Sequence, residues 1–256
     1  MRKIVIMMLV AVAIAACSGQ KRLEQYKDIY SERPSTIYVA PVDDRTQHKA
    51  VRETKDSIYN ASISIAAKQL YLTAADPITD MGYYVLGPLA SAHISATETR
   101  SGKELRNGNI NDYASVLGID AVLFIDLISW GQTSNSWTAE IEYLLRSTRT
   151  GAELMHVRVN ATKFLYTDHK GNPKPLADDL RFAEQYGCDM ATAQRCRLVE
   201  ITNQYVLRDL PSGERARSYD AERHVASHPD FFYLRIQRDG SVEMFRTEDI
   251  ERSNAN

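Results

Sequence analysis

The side chains from which this 256-residue chain could build chemistry are few: three cysteines, six histidines and some closely spaced carboxylates. Cys188 and Cys196 bracket "CDMATAQRC". On one continuous helix, the rise of 1.5 Å per residue would hold their Cα atoms about 12 Å apart, beyond the roughly 7 Å that a disulfide spans. A bridge therefore needs a break between them, and Gly187 followed by Asp189 offers a helix stop and a new N-cap. Pairing would close a short loop and contribute about 2–3 kcal/mol by restricting the unfolded chain. A metal site at this pair is disfavoured, because the spacing is not C-x2-C and no histidine is near. His224 and His228 stand at i, i+4, which on a helix would present two metal ligands together. Pro229 and the neighbouring Arg223 instead favour a solvated loop. Asp43-Asp44 follows a strand, where α/β proteins bind ligands, though adjacent carboxylates also form turns. Trp130 and Trp137 flank "GQTSNS", either as an aromatic pair across a hairpin or as an exposed anchor for a partner. The chain has no G-x-S-x-G, H-E-x-x-H or G-x-G-x-x-G, and "SGKEL" lacks the upstream glycine of a phosphate-binding loop. No catalytic residue, metal or cofactor is assigned from these patterns, and no enzyme activity is expected.

Cys17 is a different case. Arg2 and Lys3 precede an apolar run from Ile4 to Ala16 that ends in small side chains, the pattern of a secretory signal peptide. Spanning a bilayer takes about 20 apolar residues, and this run is shorter. Ile14-Ala15-Ala16-Cys17 resembles the lipobox of bacterial lipoproteins: a branched apolar residue, two small ones, then cysteine. The resemblance implies that the thiol becomes a thioether to diacylglycerol, that cleavage frees the Cys17 amine, and that a further acyl chain is added there. The alternative is an ordinary leader cut elsewhere, leaving a free Cys17. One acyl chain gives reversible membrane binding, and two or three make it effectively permanent. The expected membrane contact is this lipid anchor.

The elements that would carry these residues read as one domain. A composition of 44% hydrophobic and 25% charged residues suits a globular core. The formal net charge of −2 becomes more negative once Arg2 and Lys3 leave, and no basic stripe suggests a nucleic-acid partner. Residues 17–35 read as a flexible tether. Ile37 to Val39 form a short strand stopped by Pro41, followed by a helix from about Ser57 to Ala75 that Asp76-Pro77 should end. "MGYYVLGP" reads as a second buried strand, residues 90–98 and 111–117 as short helices, and "DAVLFIDLISWG" as a central third strand. From "SWTAEIEYLLRS" onward the period changes to two: Ala139, Ile141, Tyr143 and Leu145 alternate with Thr138, Glu140, Glu142 and Leu144. After the "RTGAEL" turn, Met155, Val157, Val159 and Ala161 repeat the alternation. Helical patterns return from Leu176 to Tyr186 and from Leu198 to Val206. The expected fold is α/β: a single domain with a mixed sheet, a parallel β-α-β start and an antiparallel meander after it, covered by helices. Its bounds are residues 36–209, with residues 210–256 as a polar appendage holding one hairpin around Asp239-Gly240.

"STIYVAPV", "DMGYYVLGP", "LGIDAVLFIDLISWG" and "RTGAEL", in this order, resemble a family of bacterial lipoproteins of unknown function typified by a genome-derived Neisseria antigen lipoprotein. The likeness covers residues 36–208. It implies a periplasmic domain similar to the N-terminal domain of TolB and a role in envelope assembly or transport beside a secretion-pore lipoprotein. The chain departs from the family at Ala40-Pro41, where many members carry two prolines, and in its cysteine pair and polar tail. The leading expectation is an accessory lipoprotein at the periplasmic face of the outer membrane, to which Ser18 after the anchor would direct it, binding an envelope partner. A surface-exposed or ligand-binding lipoprotein is the alternative. A hydrolase using Asp43, Asp44, Asp126 and Glu140 is the weakest of the three.

Overall fold

The computed structural model describes residues 26–46, 57–86, 118–170, 172, 174–211, 233–237 and 241–245. The strands are β1 (Thr36–Val39), β2 (Asp43–Asp44), β3 (Tyr84–Val85), β4 (Ala121–Gln132), β5 (Ser136–Ser147), β6 (Glu153–Phe164), β7 (Tyr233–Ile236) and β8 (Val242–Phe245). They form one eight-stranded sheet in the order β3-β1-β4-β5-β6-β7-β8, with β2 alongside β4. The sheet is mixed, as the sequence predicts. β1 and β2 run parallel to β4, and β4-β5-β6 is an antiparallel meander. The ladder to β4 lapses after Ala40, whose N–H donates to the Leu123 carbonyl at 2.9 Å, and resumes at Asp43, with Pro41 in the gap between β1 and β2.

The sheet is accompanied by the helices α1 (Lys27–Glu32), α2 (Ser57–Leu72), α3 (Ala75–Asp80), α4 (Ala177–Tyr186) and α5 (Met190–Leu207). The break after α2 comes at Thr73-Ala74, earlier than Asp76-Pro77 suggests. Pro77 sits in the first turn of α3, where a missing N–H costs little. α4 ends at Gly187 with φ 60°, and Asp189 caps α5 by accepting the Thr192 N–H at 2.8 Å, so the chain turns where the glycine and aspartate predict.

The meander's alternation gives the sheet two unlike faces. Leu123, Ile125 and Leu127 of β4, Ile141, Tyr143 and Leu145 of β5, and Met155 and Val159 of β6 pack against Leu198 and Val199 of α5, Leu70 of α2 and Ile78 of α3. Behind them, on the second face, Tyr38, Val122, Phe124 and Leu144 form a smaller apolar cluster. Between helices and sheet, Tyr143 donates its buried hydroxyl to Asn203 Oδ1 at 2.8 Å, and Asn203 Nδ2 donates in turn to the Leu70 carbonyl at 2.6 Å.

Three boundaries read from the sequence need correction. Residues 26–35 do not belong to a flexible tether: Tyr26, Ile29 and Tyr30 are buried in the main core, and the Tyr26 hydroxyl donates to Asp209 at 2.9 Å. A short polar segment hid its helix because only one turn faces inward. β3 is an edge strand of two residues with Tyr84 exposed, so "MGYYVLGP" is not a buried strand. The C-terminal hairpin is present, but β7 pairs in parallel with β6, which makes it part of the domain's sheet instead of an appendage. Residues 90–98, 111–117 and 238–240 lie outside the described residues.

Candidate functional site

On the second face, the carboxylates singled out from sequence come together because β2 lies in register with β4. Asp43 pairs with Asp126, and Asp126 with Glu142 of β5. Asp126 is only 2% exposed, and the Arg45 guanidinium reaches it from the segment just after β2. The same arginine lies 3.6 Å from Asp43 and 3.7 Å from Glu142. Glu142 also meets His156 at 3.0 Å. Glu140 is held by Arg158 at 2.7 Å, and Asp44 accepts the Thr46 N–H at 3.1 Å as a turn-forming aspartate does. Of the four carboxylates, Asp43, Asp126 and Glu140 thus share a face, while Asp44 serves its own loop. Arg45, Glu142 and His156 are the members that sequence reasoning missed. The β5 alternation already placed Glu142 on the same face as Glu140, so that signal was available. Arg45 had none beyond its adjacency to the aspartates.

On the helix-covered face, the two tryptophans do not form an exposed pair. Trp137 is buried at 8% and Trp130 is half-buried. They sit in different rungs, opposite Gln132 and Ala139 respectively. Between them lies the buried Arg195 of α5, its guanidinium carbon 5.0 Å from the Trp137 ring centroid and 5.9 Å from that of Trp130. Trp137 Nε1 donates to Gln194 at 3.2 Å. Their exposure as a partner anchor is therefore corrected: an inward-facing cation has drawn both rings onto α5. Beside them, Lys163 and Asp179 make an ion pair at 3.2 Å with both side chains only 3% exposed. Lys163 continues the inward series Met155, Val157, Val159, Ala161, and a lysine at that parity requires a buried partner. The parity of Lys163 signals that a buried acid must exist, not which one.

Cys188 and Cys196 are free thiols in this structure. Cys188 lies in the α4–α5 turn and Cys196 within α5, and Cys188 packs against the cluster of Ala66, Phe182, Ala193 and Cys196. Burial, with the neighbouring Cys188 adding to it, pushes the Cys196 thiol up to about 12. Burial likewise raises Cys188, with Asp189 adding to it. Over the same cluster, between α2, α4 and α5, lies an open groove of about 370 Å3 with Tyr186, Gln185, Arg197 and Gln69 in its walls. Among the described residues, no three His, Cys, Asp or Glu side chains converge on a metal-sized site, and no helix is long and apolar enough to cross a membrane. Cys17, His224 and His228 lie outside the described residues.

No protein-family model and no curated protein matches the chain. Solved structures do. Lipoprotein GNA1162 from Neisseria meningitidis is 17% identical, covering 54% of this chain and 89% of its own, with a TM-score of 0.42. The hypothetical protein CT253 from Chlamydia trachomatis is 13% identical over 68% of this chain and 96% of its own, with a TM-score of 0.36. The LpoB C-terminal domain from Salmonella enterica is 11% identical over 54% of this chain and 96% of its own, with a TM-score of 0.26. At TM-scores under 0.5, none of these likenesses bears on what the chain does.

Proposed function

We propose that the chain is a lipid-anchored accessory protein of the bacterial cell envelope, held at a membrane by acyl chains on Cys17 and acting by binding an envelope partner, such as a secretion-pore lipoprotein, in assembly or transport. The observation that carries this reading is Ile14-Ala15-Ala16-Cys17 directly after a short apolar leader. Each buried methylene contributes about 0.8 kcal/mol, so two or three acyl chains retain the domain without any spanning helix. α1 begins at Lys27, which leaves a short stretch after Cys17 and holds the domain close to the bilayer. Ser18 after the anchor favours delivery to the outer membrane, and the periplasmic face is the side we assign to the domain. The carboxylates on the second face are engaged by Arg45, Arg158 and His156, and such paired charges suit a binding surface.

In such an oxidising compartment Cys188 and Cys196 pair, two thiols giving up two protons and two electrons to an oxidised thiol–disulfide exchange protein. Both raised thiols react slowly unaided, so catalysed exchange is the expected route. Metabolic labelling with palmitate tests the anchor: label on the wild-type protein and none on Cys17→Ala is expected, and label persisting in Cys17→Ala sinks it. Crosslinking in intact cells tests the partner, with a discrete envelope protein expected among the products. Thiol counting on the denatured, oxidised mature chain tests the bridge, and two reactive thiols beyond residue 17 would exclude it.

A further inference from the structure

The groove over the cysteine cluster sets an exposed aromatic ring beside a polar rim. Tyr186, at the end of α4, is 53% exposed and is backed by Phe182, with ring centroids 4.4 Å apart and planes tilted by 32°. Phe182 is itself fixed against Ala66 of α2 and Ala193 and Cys196 of α5, so the exposed ring rests on a rigid floor. Around it stand side chains that both donate and accept. Gln69 and Gln185 supply amides, and Asp178, Arg181, Arg197 and Glu200 supply charges.

Those charges are mutually satisfied. Arg197 donates to Glu200 at 2.7 Å and lies 3.8 Å from Asp178, which also pairs with Arg181. Two arginines against two carboxylates leave the groove without net charge. An ionic ligand would meet no net field and would have to uncouple these pairs, and an apolar one would strip their water without replacing it. A hydroxyl can donate to a carboxylate and accept from a guanidinium or amide at once, so a polyol fits between the paired groups without parting them. A flat aromatic face beside such a polar rim suits the C–H face of a sugar ring. The volume of about 370 Å3 lies at the lower end of small-molecule pockets, which run from about 300 to 1,000 Å3, and admits a short stretch of chain only.

We infer that the groove between α2, α4 and α5 binds a neutral glycan, with one sugar ring stacked on Tyr186 and its hydroxyls bridging Arg197, Asp178 and Gln185. This goes beyond the anchored-accessory reading and stands or falls independently of acylation at Cys17.

The test is saturation-transfer NMR on the purified full chain in a non-glycosidic detergent, with maltose, cellobiose and diacetylchitobiose as probes and a sulfated disaccharide and an acidic peptide as charged comparators. Transfer to the ring protons of at least one neutral sugar is expected. Its dissociation constant should rise about tenfold in Tyr186→Ala, recover in Tyr186→Trp, and rise in Gln185→Ala. Both positions are exposed, and an unchanged melting temperature would show that the three variants fold. No transfer to any neutral sugar at millimolar concentration overturns the inference. So does stronger binding by a charged comparator, or a dissociation constant unmoved by Tyr186→Ala.

Discussion

The two faces of the β4–β6 meander handle charge in opposite ways. On the second face Arg45 is 40% exposed and shared among Asp126, Asp43 and Glu142, while Arg158 and His156 pair with neighbouring glutamates in water. On the helix-covered face Arg195 lies between two tryptophan rings, and Lys163 meets Asp179 out of solvent. Both faces carry many charges, yet their energetic roles differ. Water screens the exposed pairs, whereas a buried charge deprived of its partner has nothing to replace it. Stability should therefore be concentrated on the buried side, with the buried Asp126 held by Arg45 as the exception on the second face, and the exposed Arg158 and His156 pairs should be free to change with little effect on folding.

The sharpest way to break that contrast is Lys163→Met, which leaves Asp179 buried without a cation. A loss of about 3–5 kcal/mol is expected in urea unfolding, and the double variant Lys163→Met/Asp179→Leu should recover most of it. A small loss in the single variant would put the two faces on equal terms. Next in size is Tyr143→Phe. Removing the hydroxyl leaves Asn203 Oδ1 without its buried donor, for about 1–3 kcal/mol. Burial also raises the Tyr143 phenol well above its usual value, so alkaline titration of this tyrosine should appear only as the fold opens.

How far the sequence discloses this arrangement depends on the range of the interaction involved. Period-two alternation in residues 139–161 placed the meander and its two faces, because each strand reports its own burial. Gly187 and Asp189 marked the α4–α5 turn because capping is local. Pairings such as Lys163 with Asp179, or Tyr26 with Asp209, depend on which helix end reaches which strand, and no local pattern encodes that. The same limit explains the Trp130 and Trp137 outcome: their spacing suggested a hairpin, while the cation between them arrives from α5. The groove was invisible for that reason too, since its walls bring Gln69 of α2 beside α4 and α5, a meeting of segments distant in sequence.

Between the extremes stands the half-wet α5 N-cap. The Thr192 N–H is the main cause of Asp189 titrating below its ordinary 3.8; burial opposes it, and the Thr192 hydroxyl and Arg195 assist. A carboxyl depressed by folding stabilises the native state above its unfolded value and loses that contribution as pH falls from 3.8 toward the folded value. Asp189→Ala should cost about 1 kcal/mol at neutral pH, and the gap from wild type should shrink in acid. A gap independent of pH down to the acid transition would mean that the cap does not act through its charge.

The smallest expected effect is the most useful control. Arg158 and Glu140 make a short contact, 2.7 Å from the guanidinium to the carboxylate, and by distance alone it outranks the buried Lys163–Asp179 pair at 3.2 Å. Distance is not what decides. Arg158 is more than half exposed, so it surrenders side-chain entropy to hold one geometry and gains only a screened attraction, about 0.2–1 kcal/mol in all. Arg158→Gln should shift the urea midpoint by little in low salt and by still less in molar salt, where the Debye length falls to about 3 Å. A loss as large as that of Lys163→Met would show that the second face is covered by more than water, and would make it the first place to look for a bound partner.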